Sequence, residues 1–200
     1  MSTGERNNGE NITKALSVLL ETYANIDLLL VEMDKVAEKA GFVAHTSRFM
    51  RWKSDVDYNG WLVKSFIKIY QPEGDNYSDR VKDLRAGDLH AVDIDLENDY
   101  PQIWLSRHRF DYSGWTRLPS TSEHWLLSYP LYDDPGLFSI TEIGDLWRSV
   151  PTEKARKNYW GIRGSVALSI PLVTVTSSET IETEVFDRLK SLPEPCSCIG

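Results

Sequence analysis

Apolar residues recur every three or four positions between residues 12 and 40, after a polar leader at 1–11. They run from Ile12 to Ala40, and Gly41 follows them. This spacing predicts an amphipathic helix that starts after Asn11. One interpretation is a core helix lying across a sheet, and the other is a helix that docks on a second copy of the chain or on a partner. The candidate docking residues on this stripe are Leu19, Ile26, Leu30 and Met33.

Three stretches in which apolar and polar residues alternate predict β-strands. They lie at 61–70, 89–96 and 103–110, and a period of two is typical of a strand. The connection between the second and third stretches is short, which indicates a hairpin. A fourth strand is predicted at 166–176, where Pro171 requires an edge position or a bulge because proline cannot donate a ladder hydrogen bond.

Two further helices are predicted in the second half of the chain. Ser139 and Glu142 fit a capping box, which predicts a helix over 139–149. Ser178 opens a second stretch with apolar residues on one helical face, ending before Pro193. An irregular insert, residues 111–138, separates the predicted hairpin from these helices.

These elements predict an α+β domain of two layers. Strands joined by short loops favour antiparallel pairing, and helices before and after them are placed to cover one face. We therefore expect an antiparallel sheet packed against a long N-terminal helix and a C-terminal helix. The expected organisation is a disordered leader (1–11), a single domain (12–192) and a flexible tail (193–200) that contains Cys196 and Cys198.

Composition and charge narrow the classes of function. A formal net charge of −8 and an isoelectric point near 5.0 argue against general nucleic-acid binding, which needs a basic surface. The polar N-terminus indicates no signal peptide, and no stretch has the ~18 to 20 consecutive apolar residues of a membrane span. The sequence therefore predicts a cytoplasmic protein that does not bind membranes.

The most suggestive chemistry lies on the predicted strand 89–96. Asp93, Asp95 and Glu97 alternate with apolar residues, so their side chains share one face. A hairpin turning near residues 99 and 100 would place Glu97 opposite Gln102, with the later pairs following in steps of two. The neighbouring strand 61–70 would extend this face with basic residues. The candidate pocket face is Asp93, Asp95, Glu97, Trp104, Ser106, His108, Lys64 and Lys68.

Two interpretations of this face stay open. Carboxylates at alternate strand positions are suitable ligands for Mg²⁺ or Mn²⁺, with Asp93 and Asp95 as the metal ligands and His108 as a nitrogen ligand or general base. The other interpretation is the solvated face of an ordinary antiparallel sheet. The sequence favours the second, since no second carboxylate cluster and no glycine-rich phosphate loop accompany the first.

The aromatic residues of the insert supply a separate clue. Trp115, Trp125 and Tyr129 lie in this long irregular segment, and such segments are often binding loops or lids. They would cover the polar face of the sheet, anchor a protein partner, or form a small core under the loop. Which of these holds decides whether the acidic residues line a pocket.

Three functions follow from these features. The leading hypothesis is a non-enzymatic interaction or assembly module that works as a homo-oligomer or with a protein partner. The first alternative is a phosphoester or nucleotide hydrolase that uses Mg²⁺ or Mn²⁺ held by Asp93, Asp95 and Glu97. The second alternative is a small-ligand sensor whose pocket lies between the sheet and the insert.

Overall fold

A computed structural model describes residues 3–56, 58–97, 99–132 and 134–195. The first helix, α1, spans Thr3–Lys39, so it starts earlier than the apolar stripe indicates and is not interrupted. Cys196 and Cys198 lie outside the described residues. The chain divides into two units. The first, residues 1–35, includes most of α1, and the second, residues 36–200, contains the whole sheet.

Seven strands form one antiparallel sheet in the second unit. Their order across the sheet is β1-β2-β3-β4-β7-β6-β5. The predicted α+β class, with an antiparallel sheet, a long N-terminal helix and a C-terminal helix, is confirmed. The strands are β1 (Phe42–Ala44), β2 (Ser65–Pro72), β3 (Leu89–Asp95), β4 (Gln102–Phe110), β5 (Phe138–Ile143), β6 (Leu146–Pro151) and β7 (Ile162–Pro171).

The predicted hairpin is present, but its register differs by two residues. Asp95, rather than Glu97, pairs with Gln102, and Asp93 pairs with Trp104. The connection is longer than predicted because β3 ends at Asp95, whose carboxylate accepts a hydrogen bond of 2.7 Å from the Glu97 amide. A shift of two leaves every side chain on its predicted face, since the strand period is two.

The helix predicted over 139–149 is wrong. This segment forms the β5–β6 hairpin, in which Ile143 pairs with Leu146 across Gly144 and Asp145. Gly144 has a φ of 61°, a conformation that glycine adopts without steric cost. The glycine turn and the β-branched residues of β5 prevail over the local capping signal of Ser139 and Glu142.

The last strand also differs from its prediction. β7 starts at Ile162 and lies in the interior of the sheet, between β4 and β6. Pro171 therefore does not mark an edge strand. It is the final residue of β7, opposite Gln102 at the end of the ladder, where a missing amide interrupts little pairing.

The C-terminal helical run and the insert contact opposite faces of the sheet. The C-terminal helical run covers 178–191, and its central part, Ile181–Phe186, is π-helical. Phe186 packs edge-on against Tyr70 at a ring-centroid distance of 5.3 Å. On the other face, Ile67, Leu89 and Phe110 belong to a buried cluster with side chains of the insert. Short helices α2 (Trp125–Ser128) and α3 (Glu153–Asn158) lie beside that face.

Candidate functional site

The insert covers the acidic face of the sheet and encloses a cavity of about 370 Å³. Leu127 and Ser128 of α2, with Leu131 and Tyr132 that follow, form one wall. The sheet forms the opposite wall and floor. The full lining is Ile67, Ala91, Asp93, Asp95, Glu97, Trp104, Ser106, Leu127, Ser128, Leu131, Tyr132 and Trp147. The acidic residues therefore line a pocket rather than an open sheet surface.

Asp93 lies on the cavity floor in the middle of β3. Ser65 donates a 2.7 Å hydrogen bond to its Oδ1, and the backbone of Phe66 also contacts the carboxyl group. Burial raises the pKa of Asp93 to about 7, and the nearby charge of Asp95 adds to this effect. Desolvation penalises the ionised form, so Asp93 exchanges its proton close to neutral pH.

Asp95 and Glu97 form the outer part of the acidic wall. Burial raises the pKa of Asp95, while hydrogen bonds from the Glu97 amide and from Trp104 oppose the change. Glu97 is exposed and forms an ion pair with Lys64, with 3.3 Å between Nζ and Oε1. Burial, followed by the charges of the acidic residues, raises the pKa of Tyr132 to about 12, so its phenol stays neutral.

Two tryptophans form the aromatic part of the cavity. The Trp104 and Trp147 rings meet edge-to-face, with 5.3 Å between centroids and 89° between planes. Trp104 was a candidate from the sequence. Trp147 was missed, because it fell inside the predicted helix 139–149. The sequence signal for a strand at Trp147 was the alternation of apolar and polar residues on both sides of Gly144.

His108 does not line the cavity, although it shares the sheet face with Ser106. It is fully buried, and its ring nitrogens lie 2.8 Å from the hydroxyls of Ser106 and Ser165. Burial lowers the pKa of His108 to about 3. A neutral ring bonded on both sides is not placed to bind a metal or to serve as a general base, so His108 instead positions Ser106 at the cavity wall.

The predicted basic extension of the acidic face is wrong for Lys68. Lys68 pairs with Val92, so it lies on the opposite face of the sheet from Asp93. Lys64 is also absent from the lining, although its ammonium reaches Glu97. The residues of β2 that share the acidic face are instead Ser65, Ile67 and Ile69, because Ser65 pairs with Asp95 and Ile67 with Asp93.

The candidate docking residues of the insert have different environments. Trp115 is buried, and its indole nitrogen donates a 2.7 Å hydrogen bond to the Trp160 carbonyl, so it belongs to the core. Trp125 is partly buried and packs edge-on against Tyr159. Tyr129 is 45% exposed. The four candidates on α1 all lie within one uninterrupted helix.

Among the described residues, no three His, Cys, Asp or Glu side chains are grouped closely enough to hold a metal ion. Within the same residues, none of the helices has the length and apolar character to cross a membrane.

Comparison with known proteins finds no matching family model, no matching curated protein and no matching solved structure. The function therefore has to be inferred from the cavity.

Proposed function

We propose that this protein is a small-ligand-binding domain, with the cavity between the sheet and the insert as its binding site. The observation that carries the proposal is the cover that the insert forms over a polar and aromatic sheet face. Ligand sites are typically concave, largely apolar cavities of roughly 300–1,000 Å³ with a few convergent polar groups. This cavity has those properties and is formed by residues of the second unit alone.

The composition of the lining supports binding rather than packing alone. Ile67, Leu127 and Leu131 offer apolar surface, whereas Asp93 and Ser106 present polar groups to the same space. A carboxyl group is costly to bury beside apolar side chains. Its retention in a cavity wall is typical of a functional site.

Filling the cavity is expected to abolish ligand binding. Leu131→Trp adds a bulky ring to the wall formed by the insert, and Ser128→Phe does so from α2. A panel of cationic, neutral and anionic aromatic fragments would be screened by saturation-transfer-difference NMR. Fragments that bind the wild type should lose their signal in both variants, with melting temperatures reporting that each variant is folded.

The matched control is Val173→Trp, which introduces the same ring at an exposed position outside the cavity lining. It should retain every binding signal. Two results would contradict the proposal: no fragment binds the wild type, or the folded cavity variants bind the same fragments as the wild type.

A second candidate function is assembly through α1, with a second copy of the chain as the partner. Leu16, Leu20, Leu28 and Val31 are each more than half exposed on this helix, and their spacing of three or four positions, counting Ala24, forms one stripe. A continuous apolar stripe is self-complementary when two such helices pair.

Size-exclusion chromatography with light scattering tests this assembly. The wild type should have the mass of a dimer, and Leu20→Glu should shift it to the mass of a monomer because it places a charge within the stripe. Asn25→Glu, which places the same charge on an exposed polar position of the helix outside the stripe, should remain dimeric. A monomeric wild type would exclude self-assembly.

A further inference from the structure

The charge of the cavity lining narrows the class of ligand. Asp93, Asp95 and Glu97 supply three carboxyl groups, and none of the described lining residues is Lys, Arg or His. The hydrogen-bond donors to Asp93 are neutral, namely the Ser65 hydroxyl and the Phe66 backbone. A positively charged group that enters the cavity would therefore reduce carboxylate repulsion that the lining itself does not neutralise.

The remainder of the lining is suited to an aromatic or aliphatic body. Trp104 and Trp147 form an edge-to-face pair, and Tyr132 of the insert lines the same cavity. Aromatic faces attract cations, and the same rings bury apolar surface. Ile67, Ala91 and Leu127 add further apolar surface to the same lining.

The acidic part and the aromatic part of the lining belong to one continuous cavity, which distinguishes this site from a simple cluster of acidic residues. Asp93 and Trp104 are directly paired on neighbouring strands, so a charged group and a ring joined by a short linker would reach both together. The volume of about 370 Å³ is in the lower part of the usual range for organic ligands.

We propose that the ligand is a small organic cation, an ammonium group on an aromatic body, with the Asp93 carboxylate as its counter-charge and the Trp104–Trp147 pair against its ring. This inference rests on the proposed ligand-binding function and specifies its ligand class. Asp95 lines the same cavity beside Asp93 and strengthens the preference for positive charge, whereas Glu97 is already paired with Lys64.

Three indole compounds of similar size test the ligand class. Tryptamine is cationic, tryptophol is its neutral counterpart, and indole-3-acetate is anionic. Isothermal titration at pH 8 should find tryptamine bound at least about tenfold more tightly than tryptophol, which corresponds to about 1.4 kcal/mol. Indole-3-acetate should not bind, because the acidic lining repels its carboxylate.

Variants assign the preference to Asp93. Asp93→Asn should reduce the affinity for tryptamine to that for tryptophol, while Asp99→Asn, on the exposed turn after β3 and outside the lining, should leave it unchanged. Equal binding of tryptamine and tryptophol, lost in Leu131→Trp, would overturn the cation preference and leave the binding function standing. Absence of binding by all three, together with no hit in the fragment panel, would overturn both.

Discussion

Asp93→Asn is expected to stabilise the protein at pH 8 and to leave its stability almost unchanged at pH 4. The pKa of Asp93 is about 7 in the folded chain, against 3.8 as the ordinary value. The folded state therefore binds this proton more tightly than the unfolded state does. The stabilising contribution is fully present below pH 4 and is lost as the pH rises through 7.

The size of this effect follows from the pKa difference. Each pKa unit corresponds to about 1.4 kcal/mol, and partial solvent access in the cavity reduces the full value. We expect the free energy of unfolding of the wild type to fall by about 1 to 3 kcal/mol more than that of Asp93→Asn between pH 5 and pH 8. Asparagine keeps an acceptor for the Ser65 hydroxyl, so the fold around β2 is preserved.

Urea denaturation across this pH range provides the measurement. Asp95, Glu97 and Tyr132 face the same carboxyl group, and Lys64 neutralises Glu97. These groups are present in both proteins, so their contributions to the free energy of unfolding largely cancel in the difference. Asp99→Asn is the control and should follow the wild type. If the free energy of unfolding changed with pH in the same way in the wild type and in Asp93→Asn, this carboxyl group would not be desolvated.

Ser165→Ala is expected to destabilise the protein by about 1 to 3 kcal/mol. The substitution removes the partner of His108 Nδ1 and leaves that nitrogen buried without a hydrogen bond, which carries the desolvation cost of the group. His108 is neutral throughout the range from pH 5 to 8, since its pKa is about 3. The loss should therefore be the same at both ends of that range.

Ser169→Ala on the same strand is the matched control. Ser169 is only partly buried, and a substitution there should change the free energy of unfolding by less than about 0.5 kcal/mol. A loss equally small for Ser165→Ala would show that the Ser106–His108–Ser165 chain does not stabilise the cavity wall. A loss that varies strongly with pH would show that His108 is charged in the folded protein.

The face occupied by the acidic residues was predictable from the sequence, whereas their pairing was not. Alternation along β3 and β4 places Asp93, Trp104 and Ser106 on one face. This placement is the same in all hairpin registers that differ from one another by an even number of residues. The choice between registers depended on the connection at 96–101, where Asp95 bonds to the Glu97 amide. That local contact leaves no periodic signal.

The orientation of β2 was not predictable for a different reason. Both of its faces are apolar, with Phe66 and Tyr70 on one and Ile67 and Ile69 on the other, so alternation does not indicate which face joins the acidic residues. The structure buries both faces, which removes the usual contrast between a solvated and a core side. Lys68 was assigned to the wrong face as a result.

Two further features depend on long-range contacts. The cover over Asp93 is made by Leu127, Leu131 and Tyr132, which follow it by more than thirty residues in an irregular segment. Trp147 reaches the cavity only because β6 pairs with β7. The sequence identified the insert as the element that decides between a pocket and an open face, but only tertiary packing determines its position.

The most direct test of the ligand-binding account is a crystal structure of the protein with tryptamine. The account predicts electron density for the compound in the cavity, with its ammonium nitrogen within about 3 Å of an Asp93 carboxylate oxygen and its indole ring against Trp104 and Trp147. An empty cavity at saturating tryptamine, or density for the compound only outside it, would contradict the account.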